Sequence, residues 1–169
     1  GGDIRMIAES GAGDASEAKA FFHTEYQLNH LMFEYPKPIT AIVDGIVMGG
    51  GVGISEPAPV RIATERTTYA MPETGIGLFP DVGGGYFLSR CPGQVGEWLA
   101  LTGETIGAEQ AIACGLADRR IALDQQEPLW QQLGQASFAN GAAIKDVAAS
   151  KCIAASAEPV RARAEIDQY

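Results

Sequence analysis

Two carboxylates, Glu73 and Asp81, stand eight residues apart in the run Met71-Pro-Glu-Thr-Gly-Ile-Gly-Leu-Phe-Pro-Asp81. An acid flanked by Pro, Ile, Leu and Phe is partly removed from water. Desolvation raises a carboxyl pKa toward the range useful for general acid and base work. Spacing alone leaves the alternative of two solvated loop acids open. A third acid, Glu25, falls at helical spacing within an apolar stripe made by Ala18, Phe21, Phe22, Leu28 and Met32. It fits either a carboxylate lining a pocket or one that reaches the edge of the core. Upstream of the pair lies Gly49-Gly50-Gly51, between an apolar strand and a short helical stretch. Glycines there let a ligand approach unpaired N–H groups at a helix start, a setting suited to an anion or a developing oxyanion. No Lys-Ser/Thr follows, so it is not a P-loop, and its spacing is not that of GxGxxG.

The elements that must position these residues can be read from pattern. A helix is expected from about Asp14, with Glu17 three residues on in capping-box spacing, to about Tyr35, before Pro36 and Pro38. That helix would carry Glu25, with His23 and His30 on its opposite face. Ile39 to Val43 is short, apolar and β-branched, hence a buried strand. Ile46-Val47 continues it past Asp44-Gly45. Val60 to Ala63 and Thr67 to Ala70 are two further strands, and Met71 to Gly85 is a long Gly/Pro-rich loop. Helices follow at 86–90, 94–101 and 108–114, the last stopped by Gly115. A short strand is expected at 119–122, and the Ala-rich remainder from about 124 is mostly helical. Strands alternating with helices indicate an α/β fold.

Bulk properties narrow the partners. The chain has 169 residues with a net charge of −9 and no basic cluster, which argues against nucleic acid and anionic membranes. No apolar run reaches transmembrane length. Three widely spaced cysteines without a CxxC give no basis for a disulfide framework or a zinc site. No metal site is expected. A single partial catalytic domain over residues 1–169, cut at both ends, is the expected organisation.

Several stretches together resemble the crotonase (enoyl-CoA hydratase/isomerase) superfamily. They are Gly1-Gly2-Asp3-Ile4-Arg5, Tyr35-Pro-Lys-Pro38, Asp44-Gly-Ile-Val-Met-Gly-Gly-Gly-Val-Gly-Ile54, Ala63-Thr-Glu-Arg66 and the long block from Ala70 to Leu88. The resemblance runs to about Leu123. It implies a spiral of β-β-α turns in which two backbone N–H groups, of Gly2 and Gly50, hold an acyl-thioester carbonyl. It also implies that Glu73 and Asp81 are catalytic, and that Glu25, Gly50, Glu73 and Asp81 contact substrate. Relatives that hydrate enoyl-CoA carry Glu where this chain has Gly53, and dienoyl isomerases carry Asp there. The pattern here is therefore that of the branch hydrolysing short 3-hydroxyacyl-CoA thioesters, 3-hydroxyisobutyryl-CoA of valine breakdown above all. A hydratase or isomerase, or an inactive acyl-CoA-binding fragment, are the alternatives. Coenzyme A would enter as part of the substrate, and no other cofactor is implied. Assembly as a homotrimer or hexamer would be in keeping with the family. Location would be cytoplasmic in a bacterium and the mitochondrial matrix in a eukaryote. One departure stands out: Glu56-Pro57-Ala58-Pro59 interrupts the helix after Ser55.

Overall fold

The computed structural model describes residues 2–135, 141–153 and 166. Two helices come first, α1 (Ile4–Gly11) and α2 (Ser16–Phe33). The sequence reading did not foresee α1. Its apolar positions recur at helical spacing although it buries no residue, and Asp3 caps it by accepting from the N–H groups of Arg5 and Met6. The start of α2 also differs from expectation. Asp14 accepts from Ser16 N–H, two residues on, and Ala15 is the cap residue, in the left-handed region (φ 60°). Ser10, at the end of α1, supplies the missing acceptor by taking the Ala18 N–H at 3.0 Å.

Two turns of a spiral follow. The first is β1 (Thr40–Val43), β2 (Ile46–Met48) and α3 (Gly50–Ser55). The second is β3 (Val60–Ala63), β4 (Thr68–Ala70) and a 3-10 turn at Glu73–Ile76. They stack strand on strand: β1 pairs with β3 in parallel, Ile42 beside Ile62, and β2 with β4, Met48 beside Ala70. The bends between strands are tied as well. Asp44 accepts from the hydroxyl of Thr64 and from Arg66, while Thr67 Oγ1 donates to Val43 O at 2.6 Å. The Arg66 guanidinium, then the Thr64 hydroxyl, hold the Asp44 carboxyl below its usual value. The crotonase-type spiral implied by the sequence is what forms.

After the loop come α4 (Gly84–Leu88), α5 (Val95–Thr102), β5 (Ile106–Gly107), α6 (Ala108–Ala113) and β6 (Arg119–Arg120). β5 adds antiparallel to β4, and β6 adds parallel to β3, so each three-stranded sheet gains its last strand from this segment. The main core lies between the spiral and α4–α6: Val47, Val52, Tyr69, Met71, Val82, Leu88, Val95 and Leu99 are buried together. A second cluster joins Val60, Ile62 and Ile121 to Leu129 of α7 (Gln126–Gln135) and Ile144 of α8 (Gly141–Lys151). The rest of the expected helical tail lies outside the described residues.

Candidate active site

Glu73 sits at the start of the 3-10 turn, where the chain leaves β4. It is 6% exposed, which rules out a solvated loop acid. Its carboxylate lies against the backbone of Gly49: a Cβ placed there would be 2.8 Å from Glu73 Oε1. Gly49 itself has φ +50°, a conformation that favours glycine, so the close approach and the backbone shape both require that residue type. The next residue, Gly50, opens α3. Glu73 Oε2 is buried without a hydrogen-bond partner. Burial first, and the nearby Asp81 carboxylate in the same direction, push the Glu73 carboxyl above its ordinary value. An acid so placed is a stronger base once ionised than a surface glutamate.

Asp81 ends the loop and begins a tight turn closed by Gly84 N–H donating to Asp81 O at 2.6 Å. Val82 and Gly83, the two central residues, both have positive φ, 45° and 93°, as a type I′ turn demands. A β-branched residue at positive φ is strained by roughly 1–3 kcal/mol. Packing offsets that cost: Val82 is 7% exposed and covers Gly53 of α3. A Cβ on Gly53 would stand 2.4 Å from Val82 Cβ, so the site has no room for a side chain at position 53.

Glu25, half-buried on α2, has its carboxyl raised by desolvation and then by Asp81. Phe21, one helical turn earlier on the same face, lies under Gly2: a Cβ there would be 2.5 Å from the ring tip. Glu73 is thus tied to Gly49, next to Gly50, and Asp81 to Tyr26 of α2, while Gly2 meets Phe21 of the same helix. His23 and His30 are exposed, as expected of the polar side of α2. Tyr26, which the sequence did not single out, donates its hydroxyl to Asp81 Oδ2 at 2.8 Å.

A cleft of about 890 Å³ opens beside this group, between α2 and residues 79–90. Tyr26, Phe33, Phe79, Asp81, Tyr86 and Arg90 are on its walls, but Glu73, Glu25 and Gly50 are not. The acids therefore do not all line this cleft: Asp81 and Tyr26 are on its wall, whereas Glu73 is buried against Gly49. A buried carboxylate oxygen without a partner is costly, which makes Glu73 a candidate for chemistry independently of the cleft's volume. Among the described residues, no group of three His, Cys, Asp or Glu side chains is placed to hold a metal ion. No helix there is long and apolar enough to cross a membrane.

Glu56, in the stretch that departs from the resembled pattern, lines the cleft but is held away from Glu73 by an ion pair. It follows α3, which stops at Ser55 ahead of Pro57. Its carboxylate meets Arg61 Nη1 at 2.5 Å and accepts from the Tyr69 hydroxyl at 3.1 Å. Arg61 in turn meets Asp118. A buried ion pair thus anchors the far end of the helix that begins at Gly50.

The fold and these residues define a member of the enoyl-CoA hydratase/isomerase family, and the chain belongs to it: the family's sequence pattern matches residues 1–169. A solved carnitinyl-CoA dehydratase from Mycobacterium thermoresistibile superposes with a TM-score of 0.88 at 40% identity, over 99% of this chain and 48% of that one. Within the family, the chain is 49% identical over 133 residues to "3-hydroxyisobutyryl-CoA hydrolase, mitochondrial" of Danio rerio, covering 79% of this chain and 35% of that protein. It is also 51% identical over 120 residues to "Small ribosomal subunit protein mS47" of Neurospora crassa, covering 69% of this chain and 24% of the other. The chain spans about a third or less of the length of these two relatives.

Proposed function

We propose that this chain hydrolyses a short 3-hydroxyacyl-CoA thioester, with 3-hydroxyisobutyryl-CoA of valine breakdown as the first substrate to test. The observation carrying this reading is the Glu73 carboxylate, buried, unpartnered at Oε2 and pressed against Gly49 at the start of α3. The name of the Danio rerio relative supports the same reaction. In one route Glu73 attacks the thioester carbonyl: a C–O bond forms, the C–S bond breaks, and the thiolate leaves and is protonated. Water then opens the resulting anhydride. In the other route Glu73 takes a proton from water, and the water attacks directly. Either way the Gly2 and Gly50 N–H groups would hold the oxyanion, a donor of this kind being worth about 3–4 kcal/mol. Asp81 would hold the substrate hydroxyl or pass a proton toward the thiolate, and Glu25 would line the substrate path.

The covering of Gly53 by Val82 favours hydrolysis over hydration, because it excludes the extra acid at position 53 that the hydratase branch is expected to carry. Binding without turnover is the second reading, favoured by the ribosomal name of the Neurospora crassa relative. The test is thiol titration after addition of 3-hydroxyisobutyryl-CoA. Release that vanishes in Glu73→Gln supports the proposal. Loss of enoyl absorbance from crotonyl-CoA without thiol release would shift it to hydration, and saturable binding of coenzyme A with no turnover would shift it to the binding reading. The word mitochondrial in the relative's name supports a mitochondrial location in a eukaryotic source, the matrix being our expectation, and in a bacterial source we expect the cytoplasm. A homotrimer or hexamer is the assembly we expect, and sedimentation would check it.

A further inference from the structure

We infer that Tyr26 is the positioning residue for Asp81: its phenol fixes one carboxylate oxygen and so aims the other at the substrate. This rests on the thioesterase reading above. Three observations carry it. The Tyr26 hydroxyl donates to Asp81 Oδ2 at 2.8 Å, across a separation of 55 residues. Both residues stand on the wall of the same cleft. The segment around Asp81 also has a second tie to α2, an edge-on contact between Phe33 and Tyr86 with ring centres 5.7 Å apart. With α2 held in this way, the phenol meets the Asp81 carboxylate in a fixed direction. A neutral donor beside two other acids has a further use. Glu25 precedes Tyr26 on α2, Glu73 lies beyond Asp81, and a cation in place of Tyr26 would pair with these acids and blunt the base. The phenol orients Asp81 without supplying charge.

The groups facing Tyr26 are few. Glu25 and His30 lie on its own helix, Asp81 on the facing segment, and Arg90 across the cleft, stacked on the Tyr86 ring at 3.5 Å. Arg61, on the cleft's other wall, is engaged by Glu56 and Asp118. Tyr26 is 42% exposed, and partial desolvation, then the Asp81 hydrogen bond, push its phenol above the ordinary value.

The experiment has two parts. First, the tyrosinate absorbance of the protein is titrated, Tyr26 being assigned by difference against Tyr26→Phe. In Asp81→Asn its phenol should ionise at lower pH than in the parent, and an unmoved titration would overturn the contact. Second, thiol release is compared in a double-mutant cycle. Tyr26→Phe should lower kcat by roughly tenfold to a hundredfold, as loss of a bond to a charged group does, with KM little changed. Adding it to Asp81→Asn should cost nothing more, since the phenol acts through that carboxylate. Full additivity, or an unaffected kcat, would refute the positioning role. A parent without thiol release would sink the thioesterase reading instead, and the titration would then decide the Tyr26–Asp81 coupling alone. Thermal melts of each variant separate these losses from unfolding.

Discussion

Substitution at Gly53 tests the packing that separates this site from one with an acid on α3. In Gly53→Ala the new Cβ would stand 2.4 Å from Val82 Cβ and 2.8 Å from its Cγ2. Ordinary contact begins near 3.4 Å, so α3 and the Asp81–Gly84 turn must part by about 1 Å. Overpacking of this size costs roughly 1–3 kcal/mol. For a chain of this length that lowers Tm by about 2–12 °C. Activity should fall further than stability, because the gap opens between Gly50 and Asp81, and a 1 Å misplacement costs about a hundredfold in rate. The compensating change is Val82→Gly. It removes the clash and the strain of a valine at φ 45°, but gives up the burial of a side chain worth about 1.5–3 kcal/mol. Alone it should be mildly destabilising. Combined with Gly53→Ala it should restore stability, so that the double variant melts above the sum of the single losses. Paired melts and thiol-release rates for the four proteins make the assay. A Gly53→Ala protein as stable as the parent, or strict additivity in the cycle, would refute the packing argument. Gly53→Glu alone should unfold or inactivate the chain and yield no hydration of crotonyl-CoA.

Glu73→Gln should abolish thiol release yet raise Tm near neutral pH. A buried acid with a raised pKa gives its full contribution below the ordinary value of 4.5 and loses it as pH rises through the folded value. The gain in Tm should therefore shrink in acid, and a pH-independent difference would contradict the burial account. Arg61→Met should destabilise by about 3–5 kcal/mol, measured by urea unfolding, because it strands the buried Glu56 carboxylate. Glu56→Gln in the same chain should recover much of that loss. Asp3→Ala should weaken α1 by about 1 kcal/mol and speed amide exchange at Arg5 and Met6, the two N–H groups that Asp3 accepts.

The strands of the spiral were legible because they are short, apolar and bounded by Asp-Gly or Pro, and those features are local. Glu73 stood out for the same reason: an acid among Pro, Gly and Ile is conspicuous in a row of letters. What could not be read were relations between distant segments. Tyr26 is one aromatic among several on α2, and nothing local points to a partner 55 residues away. Val82 is harder still. A β-branched residue is the last expected at positive φ, and the three glycines after it draw attention to themselves. Glu56 looked like an interruption, whereas Arg61, five residues later, turns it into an anchor. The cap of α2 is not legible locally, because its acceptor is Ser10, eight residues before Ala18 and on the preceding helix.

The parallel ladder between β2 and β4 has a consequence for error. Met48 lies beside Ala70, Gly49 N–H reaches Ala70 O at 3.4 Å, and Glu73 meets Gly49 three residues later. The distance between Glu73 and Gly49 is thus a vernier reading of strand alignment. A slip of one residue would carry Glu73 about 3.3 Å along the ladder and turn alternate side chains to the wrong face. Such a protein would keep its helices and its circular dichroism but lose its acid. Turnover would then report misassembly that spectroscopy overlooks.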